Sequence, residues 1–345
     1  MKNPFIVSIV AAMALMSVAR AETASTAPAG FTTYKLGVGL NAIGMNLLPS
    51  PIATGKFTLN SGFGNVLTDL SASYQVTEGR TYVLDILTGE LAGTVLDLPS
   101  SAIDGNTITV SSSTTMEQLG LASGDRYQLR VANTLEEIFG TNSLAEGGVL
   151  RAALNTSNAD IIWIPTSDPN VFNKYMLHPD RSFKRVTGTG VLDFVSDPNV
   201  PIIYSDGILV EKKTSTPASV VFQGHVKKRG TNSIIQRGYN LISIVSPSGL
   251  TLRTAGFENY ITSSLNVGNA DIIWVQDPMT LAYTQYFHHP ENEGSWRIAT
   301  GVTGEILPLN EDPPLRGAIY IQRKRVASVN LKMETPEMYS YFGEL

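Results

Sequence analysis

An all-β protein is the fold class this sequence predicts, built as two β-sandwich or flattened-barrel repeats with a small inserted β-barrel-like subdomain in the first. Three observations lead there. The apolar residues fall in short Val-, Ile-, Tyr- and Thr-rich runs separated by glycine turns, which is the signature of strands. Helical patterning is confined to one or two turns at Thr115–Leu119 and Thr134–Phe139, each opened by a threonine with an acid behind it and stopped by Gly120 or Gly140. The third is an internal repeat: Asn158-Ala159-Asp160-Ile161-Ile162-Trp163 recurs letter for letter as Asn269-Ala270-Asp271-Ile272-Ile273-Trp274, an offset of 111.

The leader comes first in chain order. Lys2 precedes an apolar run from Phe5 to Val18, and Ala19-Arg20-Ala21 supplies the small residues a signal peptidase reads. Residues 1–21 are therefore expected to be a signal peptide, leaving Glu22 at the mature N-terminus. The run is shorter than the ~20 residues that span a bilayer, and no later segment is long enough, so no transmembrane helix is expected in the mature chain. Losing Lys2 and Arg20 with the leader takes the net charge from −5 to −7.

The first repeat is read as 22–53 and 134–213. Its Gly39-Leu40-Asn41-Ala42-Ile43 matches Gly238-Tyr239-Asn240-Leu241-Ile242 in the second repeat, 214–345. After Trp163 and Trp274, Tyr175, His178 and Pro179 reappear as Tyr286, His289 and Pro290. Phe183-Lys184 matches Trp296-Arg297, and Ile208-Leu209-Val210 matches Ile319-Tyr320-Ile321. Thr134-Leu135 lies ~80 residues further downstream than its counterpart Thr251-Leu252. An insert at 54–133 accounts for the difference, because closure entropy grows slowly with loop length. Its strands are expected at Tyr82–Leu87, Thr107–Val110 and Arg126–Arg130, and a Thr/Ser/Pro linker at 214–217 joins the two repeats.

Composition then bounds the function. The 345 residues include no cysteine, which removes disulfides, thiolate nucleophiles and Cys-ligated metal centres. A net charge of −5 argues against nucleic acid as a partner. His178, His225, His288 and His289 show no metal-ligand spacing and read as structural, and no Gly-x-Ser-x-Gly elbow exists. Asp160 and Asp271 hold the same place in both copies, which points to a hydrogen-bonding job in the fold rather than to an acid pair for hydrolysis. No catalytic, cofactor or metal residue is assigned, and no cofactor is expected.

Two binding features are left. Tyr175, Tyr286 and Trp296 are candidates for stacking on glycans, Trp296 being placed at the surface by Gly294-Ser295, whereas Trp163 and Trp274 read as core. Lys227-Lys228-Arg229 and Arg323-Lys324-Arg325 stand out against the acidic background as a basic patch for an anionic glycan, or as charges that protect exposed sheet edges.

The order of these motifs resembles a family of secreted two-repeat proteins without an established activity, expanded as paralogues in Verrucomicrobia-type bacteria. It runs from Gly30-Phe31-Thr32-Thr33-Tyr34 through Tyr82–Gly89 and Thr134-Leu135 to the two Asn-Ala-Asp strands. The resemblance implies export and a β-rich repeat fold, and carries over no site residue. The function expected is that of an exported, non-enzymatic envelope or extracellular structural protein: a surface-layer, filament or matrix subunit. It would sit in the periplasm, outer membrane or cell exterior of a Gram-negative-type bacterium. Self-association or other envelope proteins are its expected partners, with the 22–30 segment as a route to strand addition. A glycan-binding adhesin is the alternative, ahead of an outer-membrane barrel or a hydrolase.

Overall fold

The computed structural model describes residues 29–336, apart from 60–61, 189–193, 247, 291–294 and 309. The expected leader and the 22–28 part of the extended segment lie outside the described residues. What is described is all-β, in antiparallel sheets none of which closes into a barrel. No helix among these residues is long and apolar enough to cross a membrane.

Two six-stranded sheets share one strand order. The first runs Phe194–Ser196, Phe183–Val186, Phe172–Leu177, Ile161–Pro165, Ile208–Lys212, Gly39–Ile43. The second runs Glu305–Ile306, Ser295–Ile298, Tyr283–His289, Ile272–Gln276, Ala318–Arg323, Gly238–Ser243. Register matches as well as order: Ile162 faces Tyr175 and Val210, and Ile273 faces Tyr286 and Ile321. Asn41 and Asn240 each close the loop before their strand. Asn41 Nδ2 donates to the Gly37, Gly39 and Val210 carbonyls, and Asn240 Nδ2 to those of Gln236, Gly238 and Ile321.

Alternation along each strand sends one row of side chains to a core. Ile43, Ile162, Tyr175, Phe183 and Val210 meet Leu36, Val220 and Phe222 of a two-stranded ribbon, Ala29–Leu36 against Ala218–His225. Ile242, Ile273, Tyr286, Trp296 and Ile321 meet Ile235, Leu331 and Met333 of the matching ribbon, Thr231–Ile235 against Val329–Met333. The first core therefore extends to the strand ending at His225, beyond the boundary expected at 213, because Val220 and Phe222 are buried in it. The helical stretch Leu135–Phe139 forms as expected, with a complete Thr134/Glu137 capping box and Gly140 at φ 71° as its stop. Thr115–Leu119 makes only a turn, although Thr115 and Gln118 exchange the same pair of bonds at 3.2 Å. Gly120, at φ 101°, ends it before a helix can propagate.

The insert is a pair of open sheets rather than a barrel. Pro51–Lys56, Arg126–Val131, Thr81–Ile86 and Val95–Pro99 form one; Val66–Thr68, Thr107–Thr109 and Ile103–Asp104 form the other. The two sheets share a core of Leu67, Tyr82, Leu84, Ile108, Tyr127 and Leu129. Strands of two to six residues bury that core without the tilt and stagger closure would require.

A candidate binding cleft between the two sheets

Each six-stranded sheet has a second face, away from its core. On the first sheet this face carries Leu209, Trp163 and Phe172; on the second, Leu241, Ala318 and Tyr320. These six side chains, with Ala42, form the apolar seam that holds the two sheets together. Gln276 fastens the seam from above, accepting from Ala42 N at 2.8 Å and donating to Leu40 O at 2.7 Å.

Beside the seam a cleft of about 450 Å³ opens, lined by Tyr239, Trp274, Tyr283 and Tyr320 of the second copy and Pro169, Asn170 and Phe172 of the first. The four second-copy rings close a circuit. Centroid separations are 6.1 Å for Tyr239–Trp274, 6.3 Å for Trp274–Tyr283, 6.1 Å for Tyr283–Tyr320 and 6.5 Å for Tyr320–Tyr239. Interplanar angles of 58–87° make each contact edge-on or tilted, the geometry that the ring quadrupoles favour. Tyr239 is 42% exposed at the mouth, and the other three rings are half-buried. Burial pushes the Tyr320 phenol up to about 12 and, with Tyr320 beside it, raises that of Tyr283 further, so both are neutral donors at ordinary pH.

The duplication supplies an internal control. The residues equivalent to Tyr239, Trp274, Tyr283 and Tyr320 are Leu40, Trp163, Phe172 and Leu209. Leucine and phenylalanine therefore satisfy the sheet at these positions, and the three phenols of the second copy are not needed to build it. Polar neighbours differ in the same way. Trp163 Nε1 donates to Glu211 Oε2 at 3.3 Å and lies under the Lys174 ammonium, 4.1 Å from its ring centroid. At the equivalent place Gln322 turns instead to the Tyr239 hydroxyl, 2.9 Å away, and Trp274 Nε1 is buried without a hydrogen-bond partner.

The residues singled out from the sequence stand elsewhere. Trp296, Tyr175 and Tyr286 are 3%, 5% and 8% exposed and belong to the two cores, so they cannot stack on a glycan. Trp296 occupies the inward position that Phe183 fills in the first copy; the strand parity set by its pairing with His288 overrides the local Gly-Ser cue. Trp163 and Trp274, read as core, line the opposite face instead.

The basic clusters do not gather into one patch, because their buried members are spent on separate networks. Lys227 Nζ contacts Asp85 Oδ1 at 3.2 Å and donates to the Tyr204 hydroxyl and Thr231 Oγ1 at 2.9 and 3.0 Å. Arg130, also of the insert, reaches the other oxygen of Asp85 at 3.4 Å, while the Tyr204 hydroxyl of the first repeat donates to the oxygen that Lys227 contacts, so this one carboxylate joins the insert to both repeats. Arg229 donates to the Leu87 carbonyl at 2.6 Å. Arg323 is tied to Asp271 at 3.2 Å, and the backbone N–H of Lys324 donates to the same carboxylate at 2.7 Å. Lys228 is partly buried, and only Arg325 of the second cluster is exposed.

Serine–histidine contacts join Ser50 with His225 at 2.9 Å and Ser263 with His288 at 2.7 Å. The buried Nδ1 of His225 has no hydrogen-bond partner, so that pair lacks the orienting acid of a nucleophilic triad. Among the described residues no cluster of His, Asp or Glu has metal-binding geometry.

Sequence reasoning missed Tyr239 and Tyr320. The signal was there in the aligned copies, as Leu209 against Tyr320 and Leu40 against Tyr239, on the strand side opposite the isoleucines. No family model, curated protein or solved structure matches this chain.

Proposed function

We propose that this chain is a non-catalytic glycan-binding protein of the cell envelope or exterior, with the cleft between its two sheets as the saccharide site. The observation that carries this reading is the set of three tyrosines standing where the first copy has Leu40, Phe172 and Leu209. Sugar rings offer an apolar C–H face and a rim of hydroxyls. The aromatic walls suit the former, while the phenols of Tyr283 and Tyr320, with Asn170 at the mouth, suit the latter. The volume lies within the roughly 300–1,000 Å³ of small-ligand sites.

The test restores the residues of the first copy: a triple variant carrying Tyr239→Leu, Tyr283→Phe and Tyr320→Leu. Parent and variant are compared on a glycan array and by titration calorimetry. Binding by the parent that the variant loses, with unchanged circular dichroism, supports the reading. A parent without a saccharide ligand, or a variant that binds equally well, overturns it.

A structural subunit is the second reading, favoured by the outer face of the Ala29–His225 ribbon. Phe31, 77% exposed, and Val221, 53% exposed, stand there beside Thr33. Sedimentation velocity over a range of concentrations checks it: assembly abolished by Phe31→Ser and Val221→Ser supports it, and a monomer throughout counts against it.

A further inference from the structure

A second cleft adjoins the aromatic one. It measures about 520 Å³ and is lined by Ser167, Asp168, Pro169, Gln236, Arg237 and Ser328, with the exposed apolar side chains of Ile234 and Val326 at its margin. The two clefts share Pro169 and are walled by the same two segments, 167–172 from the first copy and 234–239 from the second. Those segments are tied together, Gln236 Nε2 donating to Ser167 O at 3.3 Å and Tyr239 N to Asn170 Oδ1 at 3.4 Å. The walls are thus held in place before any ligand arrives.

Arg237 is the cation in the cleft lining. Among the described residues its side chain makes no ion pair and no hydrogen bond, as is true of the exposed Arg316 and Arg325 elsewhere on the surface; what sets it apart is its place in the groove. Asp168 lines the same cleft and does not pair with it; one of its oxygens instead accepts from Asn170 N at 2.9 Å. An exposed guanidinium left open in a groove of an acidic protein is a fork of donors suited to a planar anion, and a carboxylate meets it with two parallel bonds. Arg237 lies two residues before Tyr239, in the bend that leads into the Gly238–Ser243 strand, so the two side chains belong to adjoining walls of the paired clefts.

We infer that the two clefts form one extended site for an acidic oligosaccharide, in which a sugar ring occupies the aromatic cleft and the carboxylate of an adjoining uronic-acid-type residue is received by Arg237. This rests on the saccharide reading of the aromatic cleft. The free side chain of Ser328 and the second oxygen of Asp168 are then available to the hydroxyls of the same residue.

The experiment uses the full chain, a uronic-acid-containing oligosaccharide and its carboxyl-reduced neutral counterpart, titrated at low and high salt. The acidic form is expected to bind about tenfold more tightly at low salt, and Arg237→Gln is expected to bring the two forms to the same affinity. Equal binding of the two forms, or an Arg237→Gln variant that keeps the preference, overturns this inference and leaves the saccharide site standing. If the parent binds neither form nor any other saccharide, the cleft reading falls with it.

Discussion

Asp160 and Asp271 allow the same perturbation to be made twice in one molecule. Asp271 is fully buried and accepts from Thr262 N at 2.8 Å, Lys324 N at 2.7 Å and Arg323 Nη1 at 3.2 Å. Asp160, also fully buried, accepts from Arg151 N and Lys213 N, both at 2.8 Å, and lies 3.5 Å from the Lys212 ammonium. Each carboxylate therefore pins the loop ahead of the central strand to the end of its neighbour. Truncating Asp271 to alanine strands two backbone donors and leaves the Arg323 charge with only the Ala327 carbonyl. Breaking a buried ion pair in this way costs about 3–5 kcal/mol, a large share of the roughly 5–15 kcal/mol of a whole domain. Asp160→Ala strands two donors as well, but its cation differs. Lys212 Nζ makes no hydrogen bond, whereas Arg323 Nη1 donates to Asp271 at 3.2 Å. Asp160→Ala is therefore expected to cost about 1–2 kcal/mol less than Asp271→Ala. Urea unfolding followed by tryptophan fluorescence measures both, since Trp163 reports on the first sheet and Trp274 and Trp296 on the second. Losses under about 1 kcal/mol in both variants, or a larger loss for Asp160→Ala, would refute the assignment of these aspartates as structural clamps.

Two further predictions concern other parts of the molecule. Burial, with the charge of Asp97 adding and the Ser205 hydroxyl opposing, raises the Asp206 carboxyl from 3.8 to about 6. The folded state thus holds this proton more tightly than the unfolded chain, so stability falls as pH rises from about 4 to about 6 and stays low above. Asp206→Asn should flatten that slope and add about 1–2 kcal/mol at pH 7, after allowance for the partial solvent exposure of the side chain; melting curves across that range check it. In the insert, a Cβ at Gly55 would stand 2.0 Å from Asp69 Oδ2 and 2.9 Å from the Tyr127 hydroxyl, two groups that are hydrogen-bonded to each other at 2.6 Å. Gly55→Ala should cost about 1–3 kcal/mol and, in limited proteolysis, expose 54–133 before the repeats; uniform resistance would contradict it.

The fold was legible where periodicity and duplication spoke together. Ile161-Ile162-Trp163 announces a central strand through its β-branched run, and its recurrence at 272–274 announces a second sheet, because one strand cannot be repeated usefully without its partners. Face assignment was less legible, since it depends on pairing parity rather than on composition. Trp296 sits after Gly294-Ser295, which reads as a surface turn, yet its partner His288 fixes it inward. Trp163 and Trp274 sit in apolar runs that read as core on both faces, yet one of those faces is the seam and its adjoining cleft. Charge clusters mislead for a related reason: Lys227 and Arg323 are adjacent to other cations in sequence, while the carboxylates that pair with them, Asp85 and Asp271, come from 142 and 52 positions away.

The candidate site was hidden by the same parity, and the duplication is what uncovers it. Two copies of a sheet share the demands of folding, so positions where both keep the same residue, as at Asn41 and Asn240 or Asp160 and Asp271, report structure. Positions where the second copy departs toward chemistry that the sheet does not require report something else. Leu40, Phe172 and Leu209 against Tyr239, Tyr283 and Tyr320 are three such departures, and all three of those tyrosines line one cleft. Phenol hydroxyls lining an open cleft are hydrated, and a guest without polar groups would displace that water and leave them unpaired, a cost of about 1–3 kcal/mol each. Among the described residues Tyr239 is the one of the three with an internal hydroxyl partner, Gln322. A ligand with hydroxyls of its own would return those bonds to Tyr283 and Tyr320, which is why a saccharide suits this cleft better than a purely apolar guest.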